Sequence, residues 1–272
     1  MSRDQLVVAS FNLHAGIDGW GRPFDVVAAC RSIDADVLVL EESWRDDDQP
    51  RSLAEEVAHQ LGYEVVEVPL AAARRIALDG YSTSPRWGPR PGERHVRPIR
   101  FDGPARTRRA RATSAELARP SVRGTWRLAL LSRLPMRSCE VVDLPRLRRD
   151  GATRKALVAE VAVGERNFRV AGTHFAHLSH GSVLQMRALA RRLAGSRIPS
   201  VLTGDFNCWT PPLRLIYPGW HETVHGRTWP AWRPHSQIDH VLTTAPQLVV
   251  GGEVLAPLGS DHRAVRTAFS LG

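Results

Sequence analysis

The sequence predicts an α+β fold in which two mixed sheets pack face to face with helices on their outer sides. Three observations carry this: many short apolar runs with strand character, few helical repeats, and hairpin-like spacing between neighbouring runs. A parallel doubly wound sheet would need helices alternating regularly with strands, and that alternation is missing. With 272 residues, 43% apolar and 24% charged, the chain has material for one large core, and a single domain over residues 1–272 is expected.

Residues 6–11 read as a buried strand, followed by a turn-rich stretch over residues 12–21. Pro23 is placed to open a helix with Val26, Val27 and Cys30 on one face, and Asp34-Ala35-Asp36 ends it. Residues 37–40 form a wholly apolar strand that delivers Glu41 and Glu42 at its end. Leu53, Val57 and Leu61, spaced i, i+4, i+8, predict an amphipathic helix, and residues 64–68 alternate as a strand before Pro69. From about residue 80 to residue 124 the periodicity fails, and Pro85, Pro89, Pro91, Pro98, Pro104 and Pro120 stand among arginines. This reads as a long, partly mobile insertion. Regularity returns at residues 128–131, then at 156–163 and 168–173, two strands joined by a turn at Gly164. A helix over residues 182–193 turns Val183, Met186, Leu189 and Leu193 inward, and strands follow at 199–203, 237–243, 248–254 and 263–270.

Charge is unevenly spread. Residues 74–127 hold fourteen arginines against Asp79, Glu93, Asp102 and Glu116, a local balance of +10 in a chain whose total is +9. One segment therefore carries the whole excess, an electrostatic footprint suited to a polyanion such as nucleic acid. The same arginines also fit a plain solvated loop. The longest apolar runs are about four residues, too short for a membrane-spanning helix or for the apolar region of a secretory signal. Cys30, Cys139 and Cys208 form no close pair, which excludes a disulfide framework and a four-cysteine zinc site. A reducing, cytoplasmic location is expected.

Apolar strands end in polar clusters: Ser10-Phe11-Asn12, Leu40-Glu41-Glu42, Thr173-His174 and Gly204-Asp205-Phe206-Asn207. Later segments, Gln237-Ile238-Asp239-His240 and Ser260-Asp261-His262, each place a carboxylate beside a histidine. Taken singly, each has an ordinary explanation: a capped turn, a surface pair, a strand ending in water. Taken together, and if they converge, they compose a hard-metal phosphate site. Magnesium takes oxygen ligands, usually one or two carboxylates with substrate phosphate, and Glu42 and Asp261 could supply them. In-line attack on a phosphodiester needs a base or orienter for water, which suits Asp205, with Asn207 and Asn12 holding phosphate and water. His262 and His174 suit the phosphoryl oxygens, and Asp239 behind His262 would fix its tautomer and raise its basicity.

The series formed by these clusters with Leu130-Leu131-Ser132-Arg133-Leu134-Pro135 and Gly172-Thr173-His174 resembles the endonuclease/exonuclease/phosphatase superfamily, from residue 6 to about residue 270. The resemblance implies a four-layer αββα sandwich, DNase I-like, with the site at one edge of the paired sheets. It implies metal binding by Glu42, by Asp261 and near Asn12, with Mg2+ as the cofactor and Mn2+ as a substitute. It implies catalytic roles for His174, Asp205, Asn207, Asp239 and His262, and phosphate contacts from Asn12, Asn207, His174 and His262. The family commonly has Gln where Glu41 stands, and position in the motif favours Glu42 as the ligand. The Arg-rich insertion has no counterpart.

The leading expectation is a metal-dependent nuclease that gathers nucleic acid through residues 74–127, with Trp87, Trp126, Trp209, Trp229 and Trp232 available for stacking on bases. A phosphatase or phosphodiesterase acting on a phosphorylated lipid head group or small metabolite is the alternative; the prolines disfavour an Arg-rich amphipathic helix for membrane contact. An inactive nucleic-acid-binding module would have lost a catalytic position, and every one of these positions carries a competent side chain.

Overall fold

The computed structural model describes residues 5–76, 99–102 and 120–271. Most of the insertion expected at about 80–124 lies outside the described residues, and with it Trp87 and the expected mobility. In chain order the strands are β1 (Gln5–Asn12), β2 (Val37–Asp46), β3 (Glu64–Ile76), β4 (Ile99–Phe101), β5 (Ser121–Ser132), β6 (Met136–Asp143), β7 (Lys155–Val163), β8 (Arg166–His174), β9 (Ser200–Asp205), β10 (His221–Glu222), β11 (Asp239–Thr243), β12 (Val249–Val254) and β13 (Val265–Ser270). The helices are α1 (Val26–Ile33), α2 (Leu53–Leu61), α3 (Val183–Leu193) and α4 (Thr210–Ile216). Among the described residues no helix is long and apolar enough to cross a membrane.

Two mixed sheets result, ordered β12-β13-β1-β2-β5-β3-β4 and β10-β11-β9-β8-β7-β6. Each contains one parallel pair, β1 with β2 and β8 with β9, and the other pairings are antiparallel. A parallel pair needs a crossover, and α1 and α3 supply them. Side chains alternate across each strand, so each sheet has two apolar faces to bury. Leu6, Val8, Val39, Leu128 and Leu130 of the first sheet meet Leu157, Ala159, Phe168, Val170 and Val201 of the second. The opposite face of the first sheet, with Ala9, Leu38, Leu40 and Leu131, packs on Cys30 and Ile33 of α1 and Val57 of α2. The opposite face of the second packs Val158, Ala171 and Leu202 on Met186 and Leu189 of α3 and Leu213 of α4. This is the four-layer αββα sandwich.

Several boundaries differ from the sequence expectation. Pro23 does not open α1; it bridges to Ile17, and Asp25 is the N-cap, accepting from the Ala28 N–H. Strand β2 continues through Glu41 and Glu42 to Asp46, with two β2 residues set against one on β5 at that point. Pro69 does not end β3, because the register shift between Pro69 and Ala71 absorbs it. Residues 99–101 and 121–124, expected to be irregular, are strand. Strand β6, at a sheet edge with most of its side chains exposed, had no apolar run to announce it, and the short α4 and β10 were likewise unmarked.

The sheets approach closely at Gly172, where a Cβ would fall 2.6 Å from Val39 Cγ2 and 2.7 Å from Val39 Cγ1. Gly172→Ala should therefore cost about 1–3 kcal/mol by overpacking, read as a lower denaturant midpoint at unchanged slope. An unchanged midpoint would mean that the two sheets part freely at this place.

Candidate active site

Both parallel pairs end at the same edge of the sandwich. Their register sets Asn12 beside Glu41 in one sheet and His174 beside Asp205 in the other, with Asp239 opposite Asp205 on β11. Open sheets collect ligands at the carboxyl ends of parallel strands, and here two such ends face each other. The side-chain amide of Asn12 crosses between the sheets, with Nδ2 3.3 Å from Glu42 Oε1 and 3.1 Å from Asp205 Oδ2. Ser260 Oγ donates to Asn12 O at 2.6 Å, which brings the Ser260-Asp261-His262 segment to the same place.

The predicted histidine pair is present. His262 Nδ1 lies 3.0 Å from both carboxylate oxygens of Asp239, and its Nε2 is 3.9 Å from Asp205 Oδ2. Ligand atoms of Asp205, Asp239 and His262 all lie within 4.8 Å of one another. Burial disfavours a charged ring at His262, but Asp239, Asp261 and Asp205 outweigh it and hold its pKa well above the ordinary value. His174 goes the other way: burial, with the positive charges of Arg154 and His262, holds it well below the ordinary value and so neutral. Its Nε2 is 3.4 Å from Asp205 Oδ2 and 3.1 Å from Asn207 Nδ2, which also donates to Phe175 O. Burial pushes the Asp205 carboxyl up to about 7; the charge of His262 opposes this, while Asp239 and Glu42 add to it.

The two glutamates of β2 are separated by the bulge. Glu41 is fully buried, takes a 2.8 Å hydrogen bond from Ser10 Oγ, and is pushed well above the carboxylate range by that burial. Glu42, with φ of 52°, is the half-buried one that reaches Asn12. All eight residues singled out from the sequence, Asn12, Glu42, His174, Asp205, Asn207, Asp239, Asp261 and His262, thus lie along this one edge.

The structure adds His14, which the sequence reading passed over, and gives Trp229 a contact other than the stacking expected of it. His14 Nδ1 lies 3.4 Å from Asp261 Oδ1, and Trp229 Nε1 donates to Asp261 Oδ2 at 3.2 Å. His14 lies past the end of β1, in the tight turn His14–Gly16, so strand periodicity does not place it, and its closeness in the chain to Asn12 was the available signal. Other expectations are corrected. Trp126 is 2% exposed and packs against Phe101 and His174, so it is no stacking platform for bases. Trp232 packs against Trp20 with its ring tilted by 53°, which leaves Trp209, 59% exposed, as the most open indole of this group among the described residues. Within the Arg-rich segment, Arg75 is buried and paired with Asp46, and Arg127 is buried and paired with Glu67 at 2.5 Å. Those two arginines belong to the interior of the fold, not to a surface footprint.

A sequence model described as "Endonuclease/Exonuclease/phosphatase family" matches residues 9–262. No curated protein gives a significant match. Solved structures do. An endonuclease/exonuclease/phosphatase protein from Beutenbergia cavernae is 24% identical, with TM-score 0.63 over 99% of this chain and 72% of its own. The human Nocturnin catalytic domain with bound sulfate is 16% identical, with TM-score 0.60 over 98% and 95%. TDP2 from D. rerio complexed with single-strand DNA product is 13% identical, with TM-score 0.60 over 98% and 100%.

Beneath the Asp205-Phe206-Asn207 turn, the buried ring of His240 joins two acceptors. Its Nδ1 is 2.6 Å from Glu222 Oε1 and its Nε2 is 2.8 Å from Cys208 O, so the ring pins the backbone just past Asn207. Burial alone would raise the Glu222 carboxyl, but the hydrogen bond and charge of His240 outweigh it and hold its pKa below the ordinary value. A carboxyl depressed by folding contributes stability above its unfolded pKa and loses it as pH falls through the folded one. Glu222→Gln should therefore flatten the acid limb of the thermal midpoint below about pH 5 relative to the parent protein. Superimposable acid limbs would dismiss the ion pair.

Proposed function

Because the chain belongs to the endonuclease/exonuclease/phosphatase family of hydrolytic phosphoesterases, we propose that it is a Mg2+-dependent phosphodiesterase cleaving nucleic acid. The observation that carries the reading is the place of Asp205, which has the Asn12 amide and Glu42 on one side and the His262–Asp239 pair on the other.

Glu42 and Asp261 are the residues that would hold the ion, as carboxylate oxygen donors suited to a hard dication, and Asn12 would join them with its amide turned, since its Oδ1 accepts from the His14 N–H and its Nδ2 faces Glu42 and Asp205. The fit lies in the donor set: the Asn12 amide contacts the carboxylates of both Glu42 and Asp205, and Ser260 ties the segment carrying Asp261 to the same residue. When bound, the ion neutralises charge on the phosphoryl oxygens. Asp205, Asp239 and His262 form a second compact group, but His262 and Asp239 are committed to each other, and we read that group as a proton relay.

Asp205 orients the attacking water and accepts its proton. His262, kept charged by the carboxylates around it, donates a hydrogen bond from Nε2 to the phosphoryl oxygen as the bond from phosphorus to the leaving oxygen breaks and that oxygen takes a proton from solvent, while Asp239 fixes the ring through Nδ1. Neutral His174 and the Asn207 amide bracket Asp205 from the side of the second sheet. Nucleic acid as substrate is supported by the +10 balance of residues 74–127 and by the likeness to TDP2 complexed with single-strand DNA product. The other reading, a small phosphorylated metabolite or a lipid head group, gains from the internal use of Arg75 and Arg127.

Purified protein should cut a plasmid or an oligonucleotide in magnesium and stop on chelation. Asp205→Ala should lower kcat by about 10²–10⁴-fold; cutting that survives both treatments would remove the mechanism. Asp239→Asn should lower kcat about 100-fold while the magnesium concentration for half-maximal activity stays put. An equal loss in both would make Asp239 a ligand.

A further inference from the structure

The Arg-rich segment leaves a specific arrangement among the described residues. Strand register sets Arg100 of β4 directly opposite Arg74 of β3, and Arg74 directly opposite Arg123 of β5. Directly opposed residues share a face, so the three guanidiniums stand in a row across three adjacent strands. Their neighbours along the strands identify the face. Ala73 and Phe101 point into the core between the sheets, so the row points outward. Arg45 of β2, opposite Thr125, lies on the same outer face, because its neighbour Trp44 and the Trp126 paired with it are both in the inner core.

The helical layer does not reach this far. Ala54 at the start of α2 donates from its backbone to Ser43 Oγ, and the arginine row lies farther along the strands, where the sheet extends past that helix. Like charges placed directly opposite each other destabilise a sheet. Among the described residues one carboxylate pairs with the row: Asp102 lies 3.5 Å from Arg123, whose side chain is 62% exposed. Arg100 donates to Ser121 Oγ at 3.4 Å. Asp47, whose N–H donates to Arg123 O at 3.0 Å, stands opposite Arg123, and four guanidiniums against two carboxylates among the described residues still leave an excess of positive charge that an anionic partner would complete.

The row is also close to the chemistry. Arg45 comes three residues after Glu42 and Arg123 three residues before Trp126, about 10 Å of strand in each case, and the ring of Trp126 lies 5.1 Å from that of His174. Three neighbouring strands span about 10 Å, enough to meet successive phosphates of one nucleic-acid strand. We propose that the outer face of the sheet at Arg45, Arg74, Arg100 and Arg123 is a track for the phosphate backbone of the substrate strand, leading it to the cleft. The track rests on the reading of the enzyme as a nuclease. It contacts phosphates and so carries no base preference.

The experiment measures binding of a fluorescent 20-nucleotide DNA to the full chain in chelator, as a function of salt. It compares the parent, Arg74→Gln/Arg100→Gln/Arg123→Gln, and a control with the same charge removed at exposed Arg31, Arg187 and Arg214. The row variant should lose about 2 in the slope of log Kd against log salt and weaken binding at low salt at least about 10-fold. Its thermal midpoint should be equal to or above the parent's, since a repulsive row is relieved. The control should keep the parent's slope. Equal slopes in the row variant and the parent overturn the track, as does an equal change in the control, which would make net charge the cause. A lowered midpoint in the row variant also overturns it, by making the row structural. Weakened binding to phosphatidylserine-containing vesicles with no change for DNA would assign the face to a membrane and overturn it too. If the parent cuts DNA and the slopes agree, only the track is lost; if the parent neither cuts nor binds DNA, the nuclease reading falls first.

Discussion

A single amide group spans the seam between the two sheets. Asn12 belongs to the seven-stranded sheet, yet its Nδ2 sits between Glu42 of that sheet and Asp205 of the other. Its own Oδ1 is tied to the His14 N–H at 2.9 Å and its carbonyl to Ser260. This contact exists only if the sheets lie at one separation and the parallel pairs end level with each other. The bare Cα of Gly172 against Val39 helps to set the separation, and the β1–β2 and β8–β9 registers set the level. Packing of the core and geometry of the site are therefore one constraint.

Burial around that seam then sorts the titratable groups. His262 and His174 are both enclosed and both near Asp205, but three carboxylates dominate the field at the first, while burial, reinforced by Arg154 and His262, dominates at the second. One ring is held charged and the other neutral at the same pH. Arg154 takes part in this from a fixed position: it is paired with Asp150, donates to His174 O, and lies over the Trp126 ring. Phosphoryl chemistry needs both a cationic donor and groups that do not compete for its proton, and the edge provides each without any exposed charge.

Much of this was legible in the sequence because polar clusters placed immediately after apolar runs must lie where strands leave the core. Asn12 and Asp205 follow from that rule, while Asp239 and His262 stand at or before the start of β11 and β13 and were marked instead by a carboxylate next to a histidine. Other features were hidden for physical reasons. A bulge leaves no mark on composition, so the different surroundings of Glu41 and Glu42 could not be read from two adjacent glutamates. Strand β6 is an edge strand with no side chain fully buried, and its apolar residues are scattered, so no unbroken or alternating run signals a strand. Arg75 and Arg127 looked like their neighbours in the basic segment, because an ion pair to Asp46 or Glu67 depends on partners 29 and 60 residues away in the chain. The opposed arginines on β4, β3 and β5 were likewise invisible without the register.

The bulge on β2 has a consequence for how this enzyme can change over time. Because the extra residue sends adjacent glutamates to different surroundings, one sealed beneath the floor and one lifted to the rim, each answers to a separate selective demand. The sealed position, where the acid is held in its uncharged form beside Ser10, can exchange with an uncharged amide of similar shape without disturbing the rim. The rim position has no such freedom, since whatever stands there must still meet the Asn12 amide.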